Sequence, residues 1–262
     1  MDLTVLVPGI RPKNWLHLFS SICRSFYGEW ELIIISPYDM PKELEGMERI
    51  VHVKDWGSPI RCRQIGLERA RGQWLCYAAD DVLFCEDSLD LAFEKLKLSH
   101  MNYKTVIVGK YVEGETDKEW MTTDTYYMLK THAGLKDICK WLPDNYVLIN
   151  TGVVSTRLLK EIGGWDCSFE VCALACVDLS IRLQNYHVFT KIQDEPIFKS
   201  THSPDTSGDH EPIHNAQVDH DQPLLMELYS NKDATKRIHI PLDNWKNTPE
   251  RWERRFGNEI TT

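Results

Sequence analysis

At 262 residues the chain can bury a full core, as one large domain or as two closely joined halves. Charged residues at 26% and hydrophobic ones at 42% are ordinary for a globular protein, and a net charge of −9 excludes a general nucleic-acid binder, which would carry a basic face. No apolar run reaches the length of a membrane span, and the N-terminus lacks the charged and apolar regions of a signal peptide. The eight cysteines, at 23, 62, 76, 85, 139, 167, 172 and 176, form no CxxC pair. They read as free thiols of a reducing compartment, so a cytoplasmic protein is expected.

Leu3 to Val7 reads as a buried first strand ended by Pro8-Gly9. Trp15, Phe19, Ile22 and Phe26 form a helical stripe between Asn14 and Phe26, with Gly28 as its stop. Glu31–Ile35 and Arg49–Val53 are the next two strands. Ser58 as N-cap and Pro59 at the first helical position open a helix that runs to Arg71 and stops at Gly72. A strand that starts at Trp74 and ends in the two acids Asp80-Asp81 follows, then a helix from Ser88 to Leu98 with Asp87 as its cap, then a strand from Thr105 to Val108. This alternation predicts an α/β fold with a largely parallel sheet covered by helices.

The pattern weakens from Gly109 to Tyr146, apart from a short helix predicted over Leu135–Leu142. Strands are predicted again at Tyr146–Ile149 and Gly152–Val154, then helices at Thr156–Ile162 and Leu174–Leu183, with a last strand at His187–Ile192. Beyond Pro196 a polar loop rich in His and Asp runs to Asp221. It is expected to be mobile until a ligand orders it. A helix at Pro223–Tyr229 and a Thr248-capped helix complete the chain.

The local chemistry concentrates at Asp80 and Asp81. Two adjacent carboxylates at the end of an apolar strand repel each other and lose hydration unless something positive compensates. Ligands of open α/β sheets gather outside the carboxyl ends of the strands, so these acids are placed to hold a cation and, through it, a phosphate.

Several segments together resemble glycosyltransferase family 2. They are Val5-Leu6-Val7-Pro8, then Cys62-Arg63-Gln64-Ile65-Gly66 with Ala70-Arg71-Gly72, then Ala79-Asp80-Asp81. Ile162-Gly163-Gly164-Trp165-Asp166 and Asp178-Leu179-Ser180-Ile181-Arg182-Leu183 complete the set. The resemblance spans residues 3 to about 192. It implies a GT-A type fold, with a nucleotide-sugar-binding half over 1–108, an acceptor-side half over 109–199, and a flexible loop and helical extension over 200–262. It further implies a donor site at Pro8, Gly9, Arg11, Arg63, Gln64 and Asp80, and a Mn2+ or Mg2+ ion at Asp80 and Asp81. A loop histidine, His202, would complete the metal shell, and Trp165 and Asp166 would meet the acceptor. The implied reaction is transfer of a sugar from a nucleotide-diphosphate donor to a glycan or other hydroxyl acceptor, with inversion.

The departures from the family bear on function. Its base-reading acid has only a displaced Asp39, or Asp55 at the end of the third strand, to replace it. Its Glu-Asp pair before the last motif reads Ala175-Cys176, which leaves Asp178 as the expected catalytic base and Glu170 as its competitor. A catalytically silent nucleotide- or carbohydrate-binding protein of the same fold therefore stays open. So does a metal-dependent hydrolase built on the His/Asp loop, and the sequence leaves the oligomeric state open.

Overall fold

The computed structural model describes residues 1–113, 121–122, 129, 135, 140–200 and 208–257. A seven-stranded sheet forms its centre, built from β1 (Leu3–Pro8), β2 (Trp30–Ile35), β3 (Ile50–Val53), β4 (Trp74–Tyr77), β6 (Thr105–Gly109), β9 (Gly152–Ser155) and β10 (Phe189–Gln193), in the order β10-β6-β9-β4-β1-β2-β3. β9 runs antiparallel to both its neighbours and the other pairings are parallel. This is the expected GT-A type α/β arrangement.

The strands read as continuous apolar runs because both sheet faces are covered. On one face Leu3, Val5 and Val7 of β1 meet Trp15, Leu18 and Ile22 of α1 (Pro12–Ser25) and Leu89, Ala92 and Leu96 of α3 (Ser88–Lys97). On the other, Leu6 faces α2 (Pro59–Arg69), α4 (Thr156–Ile162) and α5 (Cys172–Asn185). A four-stranded sheet of β5 (Val82–Phe84), β11 (Phe198–Ser200), β7 (Val112–Glu113) and β8 (Met121–Thr122) adjoins the first. The sequence pattern gave no sign of β5 or β11, which have three residues each, too few to set a period.

Local expectations hold where side chains close to the backbone decide. Ser58 accepts from the backbone N–H of Arg61, and Gly163 ends α4 with φ 91°. Other expectations are corrected. Asp87 stands before α3 with φ 55° and makes no side-chain cap; the Ser25 hydroxyl accepts from Leu89 N instead. Residues 146–149 do not form a strand. Val147 N and O bond to the Gln184 side chain and Ile149 N to the Ser180 hydroxyl, so α5 satisfies the backbone that a strand partner would have satisfied. Thr248 caps no helix, since its hydroxyl donates back to Trp245 O, and α8 (Glu253–Phe256) begins later.

The described residues after 200 carry more helix than expected. Residues 201–207, with His202, lie outside the described residues, as do residues 136–139 of the helix expected at 135–142. From Glu211 the supposed loop is helical, as α6 (Glu211–Ala216), a π-helical turn (Gln217–Asp221) and α7 (Gln222–Tyr229). The tail is tied to the core: Arg61 Nη1 donates to Trp245 O at 2.7 Å, Gln64 Nε2 to Leu242 O at 2.7 Å, and Ile240 N to Ile162 O at 3.1 Å. Among the described residues no helix is long and apolar enough to cross a membrane.

Candidate active site

A cleft opens at the carboxyl ends of β1, β2, β3 and β4. The turn after β1 supplies Pro8 to Arg11, the turns after β2 and β3 supply Pro37, Asp55 and Gly57, and the turn after β4 supplies Ala79 to Asp81. Cys172 and Ala173 close one side from the start of α5. The tail forms the opposite wall with His210, Ile213, Trp252, Arg255 and Phe256. Free space in the cleft is about 190 Å³. Ligand pockets for drug-sized molecules begin near about 300 Å³. A nucleotide-sized guest therefore fills more than this space, and either extends out of the cleft mouth or displaces a wall.

Asp80 is the hinge of this site. Its side chain is almost fully buried, and Oδ2 accepts from Ile10 N at 2.7 Å and Arg11 N at 2.5 Å. Oδ1 accepts from Arg11 Nη1 at 2.6 Å. The acid therefore fixes the turn after β1 against the end of β4. The same guanidinium lies 3.7 Å from Asp81 Oδ2, and its Nε donates to Asp209 Oδ2 at 3.1 Å. Burial lowers the pKa of Arg11, but Asp80, Asp81 and Asp209 outweigh it and raise the pKa above the ordinary arginine value. Arg255 approaches from the tail and donates to Asp209 O at 2.6 Å. Among the described residues no carboxylate makes an ion pair with it. Burial pulls its pKa down; Asp209 opposes that shift and the Arg11 cation adds to it.

The arrangement bears on the expected divalent ion. Asp80 and Asp81 are hard oxygen donors converging on one position, and a cation, the Arg11 guanidinium, stands there. The donor set therefore fits Mn2+ or Mg2+, provided that Arg11 leaves. Among the described residues no three His, Cys, Asp or Glu side chains are gathered as a ready metal cage. His210 is the loop histidine found in the cleft. His214 is exposed, and His220 bonds Asp221 at 2.8 Å.

The other predicted site residues divide sharply. Asp55 lines the cleft, yet its oxygens are held by Gly57 N and by Arg61. Asp39 is not at the cleft; it pairs with Lys54 at the surface. Gln64 is fully buried and binds Gly163 O, Leu242 O and Trp165 N, so it locks α2 to the α4–α5 turn and the tail. Arg63 lies in the core over the rings of Tyr77 and Trp165, at 5.0 and 5.7 Å, with Nη1 3.3 Å from Cys176 Sγ. Neither Arg63 nor Gln64 lines the cleft. Trp165 is fully buried, edge-on to Tyr77 at 5.2 Å, and presents no face to an acceptor.

The expected catalytic base, Asp178, lies away from the cleft. Asp178 has no exposed surface. Its oxygens bond Arg182 Nε at 2.7 Å, the Tyr229 hydroxyl at 2.7 Å and Arg237 Nε at 3.0 Å. Burial pushes its carboxyl up, but Arg182, Arg237 and Tyr229 together hold it below the ordinary value. An acid so engaged, away from the cleft, has no oxygen to offer an acceptor hydroxyl. Cys176 is fully buried. Glu170 and Asp166 line a second cleft that shares Trp252 with the first. Asp166 is tied to Arg237 and Ser168 N. Glu170 Oε2 accepts from Trp252 Nε1 and from Arg254 Nε, each at 2.7 Å, and Oε1 lies 3.8 Å from His220.

Solved structures share this fold. The chain superposes on residues 1–349 of TarS from S. aureus in complex with UDP with a TM-score of 0.59, covering 89% of this chain and 72% of that one at 14% identity. The chain shares its fold with TarS. The complex of the same TarS segment with UDP-GlcNAc gives a TM-score of 0.56, again at 14% identity. Against the longer TarS structure the score is 0.55, and this chain covers 43% of it. No protein-family model matches the sequence, and no curated protein matches it.

Proposed function

We propose that this protein is a glycosyltransferase that takes a nucleotide-diphosphate sugar into the cleft and transfers the sugar, with inversion, to an acceptor hydroxyl. The observation that carries this reading is the convergence of the β1 turn, the Asp80–Asp81 pair and the tail cation Arg255 at the carboxyl ends of parallel strands. The fold is that of TarS, a GT-A-type glycosyltransferase with solved UDP and UDP-GlcNAc complexes. The base would lie toward Pro8, Pro37 and Phe256, and the diphosphate toward Asp80, Asp81 and Arg255. Mn2+ or Mg2+, when held by Asp80 and Asp81, would neutralise the charge that develops on the leaving diphosphate. In the transfer, the acceptor oxygen attacks the anomeric carbon on the face opposite the diphosphate, and the bond from that carbon to the phosphate oxygen breaks. The acceptor proton goes to a positioned base. Of the two acids expected in that role, Glu170 is the one that faces an open cleft, and we assign it the role.

A second reading is favoured by one observation: the family's acidic pair is replaced by Ala175 and Cys176, and both are fully buried. On that reading the protein binds the nucleotide sugar without turning it over. Incubation with a panel of nucleotide sugars, with and without sugar and polyol acceptors, distinguishes the two. Acceptor-dependent release of nucleoside diphosphate, lost in Glu170→Gln, supports the transferase. Saturable binding without release supports the silent protein, and no binding of any donor defeats both.

A further inference from the structure

Arg11 stands where the acid pair would hold a metal ion. One guanidinium meets three carboxylates, those of Asp80 at 2.6 Å, Asp209 at 3.1 Å and Asp81 at 3.7 Å. The Asp80 carboxylate is almost fully buried, and such a charge is strongly destabilising without a partner. Arg11 is thus its counter-ion when no ligand is bound. Among the described residues, the three acids and the two arginines, Arg11 and Arg255, leave one negative charge in excess. Charges of that sign repel a diphosphate. Adding a divalent ion between Asp80 and Asp81 reverses the sign and expels Arg11 by like-charge repulsion.

We propose that Arg11 is an exchangeable counter-ion: a divalent cation entering the Asp80–Asp81 pair displaces its side chain, which then pairs with the nucleotide's diphosphate beside Arg255. This rests on the cleft being the donor site. The backbone N–H groups of Ile10 and Arg11 keep their bonds to Asp80 throughout, so the turn need not unfold for the side chain to move. Asp209 is the most exposed of the three acids, and release of Arg11 unties it from the β1 turn. Exchange would therefore loosen the tail wall at the moment the donor needs room. The consequence is reciprocal coupling. Metal alone binds weakly because it must evict Arg11, nucleotide diphosphate alone binds weakly because the site is acidic, and each strengthens the other.

The test is calorimetric and electron-paramagnetic titration of the intact protein with Mn2+ alone, UDP alone and the two together. Wild type should bind Mn2+ about ten- to a hundredfold more tightly when UDP is present, the range expected for charge-assisted contacts made or lost. Arg11→Gln, with unchanged circular dichroism, should bind Mn2+ alone more tightly than wild type by a similar factor and lose most of the coupling. Arg11→Lys, which keeps the charge without the fork, should fall between them. Equal Mn2+ affinity in wild type and Arg11→Gln overturns the exchange. So does UDP binding that chelation leaves unchanged. Should UDP fail to bind under every condition, the donor reading is lost, while the Mn2+ titrations still decide whether Arg11 competes for the acid pair.

Discussion

Replacing Asp178 by asparagine separates a catalytic role from a structural one. The side chain is isosteric but uncharged, so Arg182, which has no exposed surface, and the partly buried Arg237 lose their shared counter-charge. Arg182 keeps its bonds to the carbonyls of Gly164, Ile162 and Ile238, which limits the rearrangement. Breaking a buried ion pair from one side costs about 3–5 kcal/mol, and the acceptor oxygen that asparagine retains puts this variant near about 3 kcal/mol. For a chain of this size each kcal/mol is worth about 2–4 °C, so the melting temperature should fall by about 6–12 °C. The pH dependence has a definite sign. A carboxyl held below its ordinary value stabilises the fold above about pH 4, and that contribution is lost as the pH falls through the lower folded-state value. The gap between wild type and Asp178→Asn should therefore close in acid. Thermal melts across pH, paired with UDP titration of the folded variant, measure both effects, and nucleotide affinity should stay within about twofold of wild type. A variant that melts like wild type yet has lost turnover would refute the structural role.

Three further outcomes are expected. Gly163→Ala places a methyl group against the Ile240 carbonyl at φ 91°, and should cost about 2–4 kcal/mol in urea unfolding. Alkylation at pH 8 should mark exposed Cys23 and spare Cys76, which is fully buried and whose thiol burial pushes up to about 12; mass mapping reads the pattern. Hydrogen exchange with Mn2+ and UDP bound should change in α6 and α8, which form the tail wall, and stay constant in β1, β2 and β4.

Much of the fold was legible because the strands are apolar runs and the helices carry local signals. Ser58, Pro59 and Gly163 act within a few residues of themselves, so their roles could be read from the chain. What could not be read depends on distant partners. Asp178 looked like an acid in a motif, and its fate was set by Tyr229 and Arg237, more than fifty positions away. Gln64 looked like a nucleotide contact until the tail supplied Leu242 O. The cleft's far wall, with Arg255 and Phe256, comes from the stretch that carried no resemblance at all. Two signals were available there: arginines at 254 and 255 beside aromatic residues 252 and 256, in a chain of net charge −9.

The central claim is that the cleft recognises a nucleoside diphosphate through Asp80, Asp81 and the two arginines. Equilibrium titration with UDP and with UMP in the presence of Mn2+ tests it most directly. UDP should bind at least about tenfold more tightly than UMP, as expected when charge-assisted contacts to a second phosphate are made. Asp81→Asn, still folded, should lose most of that preference. Equal affinity for UDP and UMP, or a preference that survives both Asp81→Asn and chelation, would contradict the account.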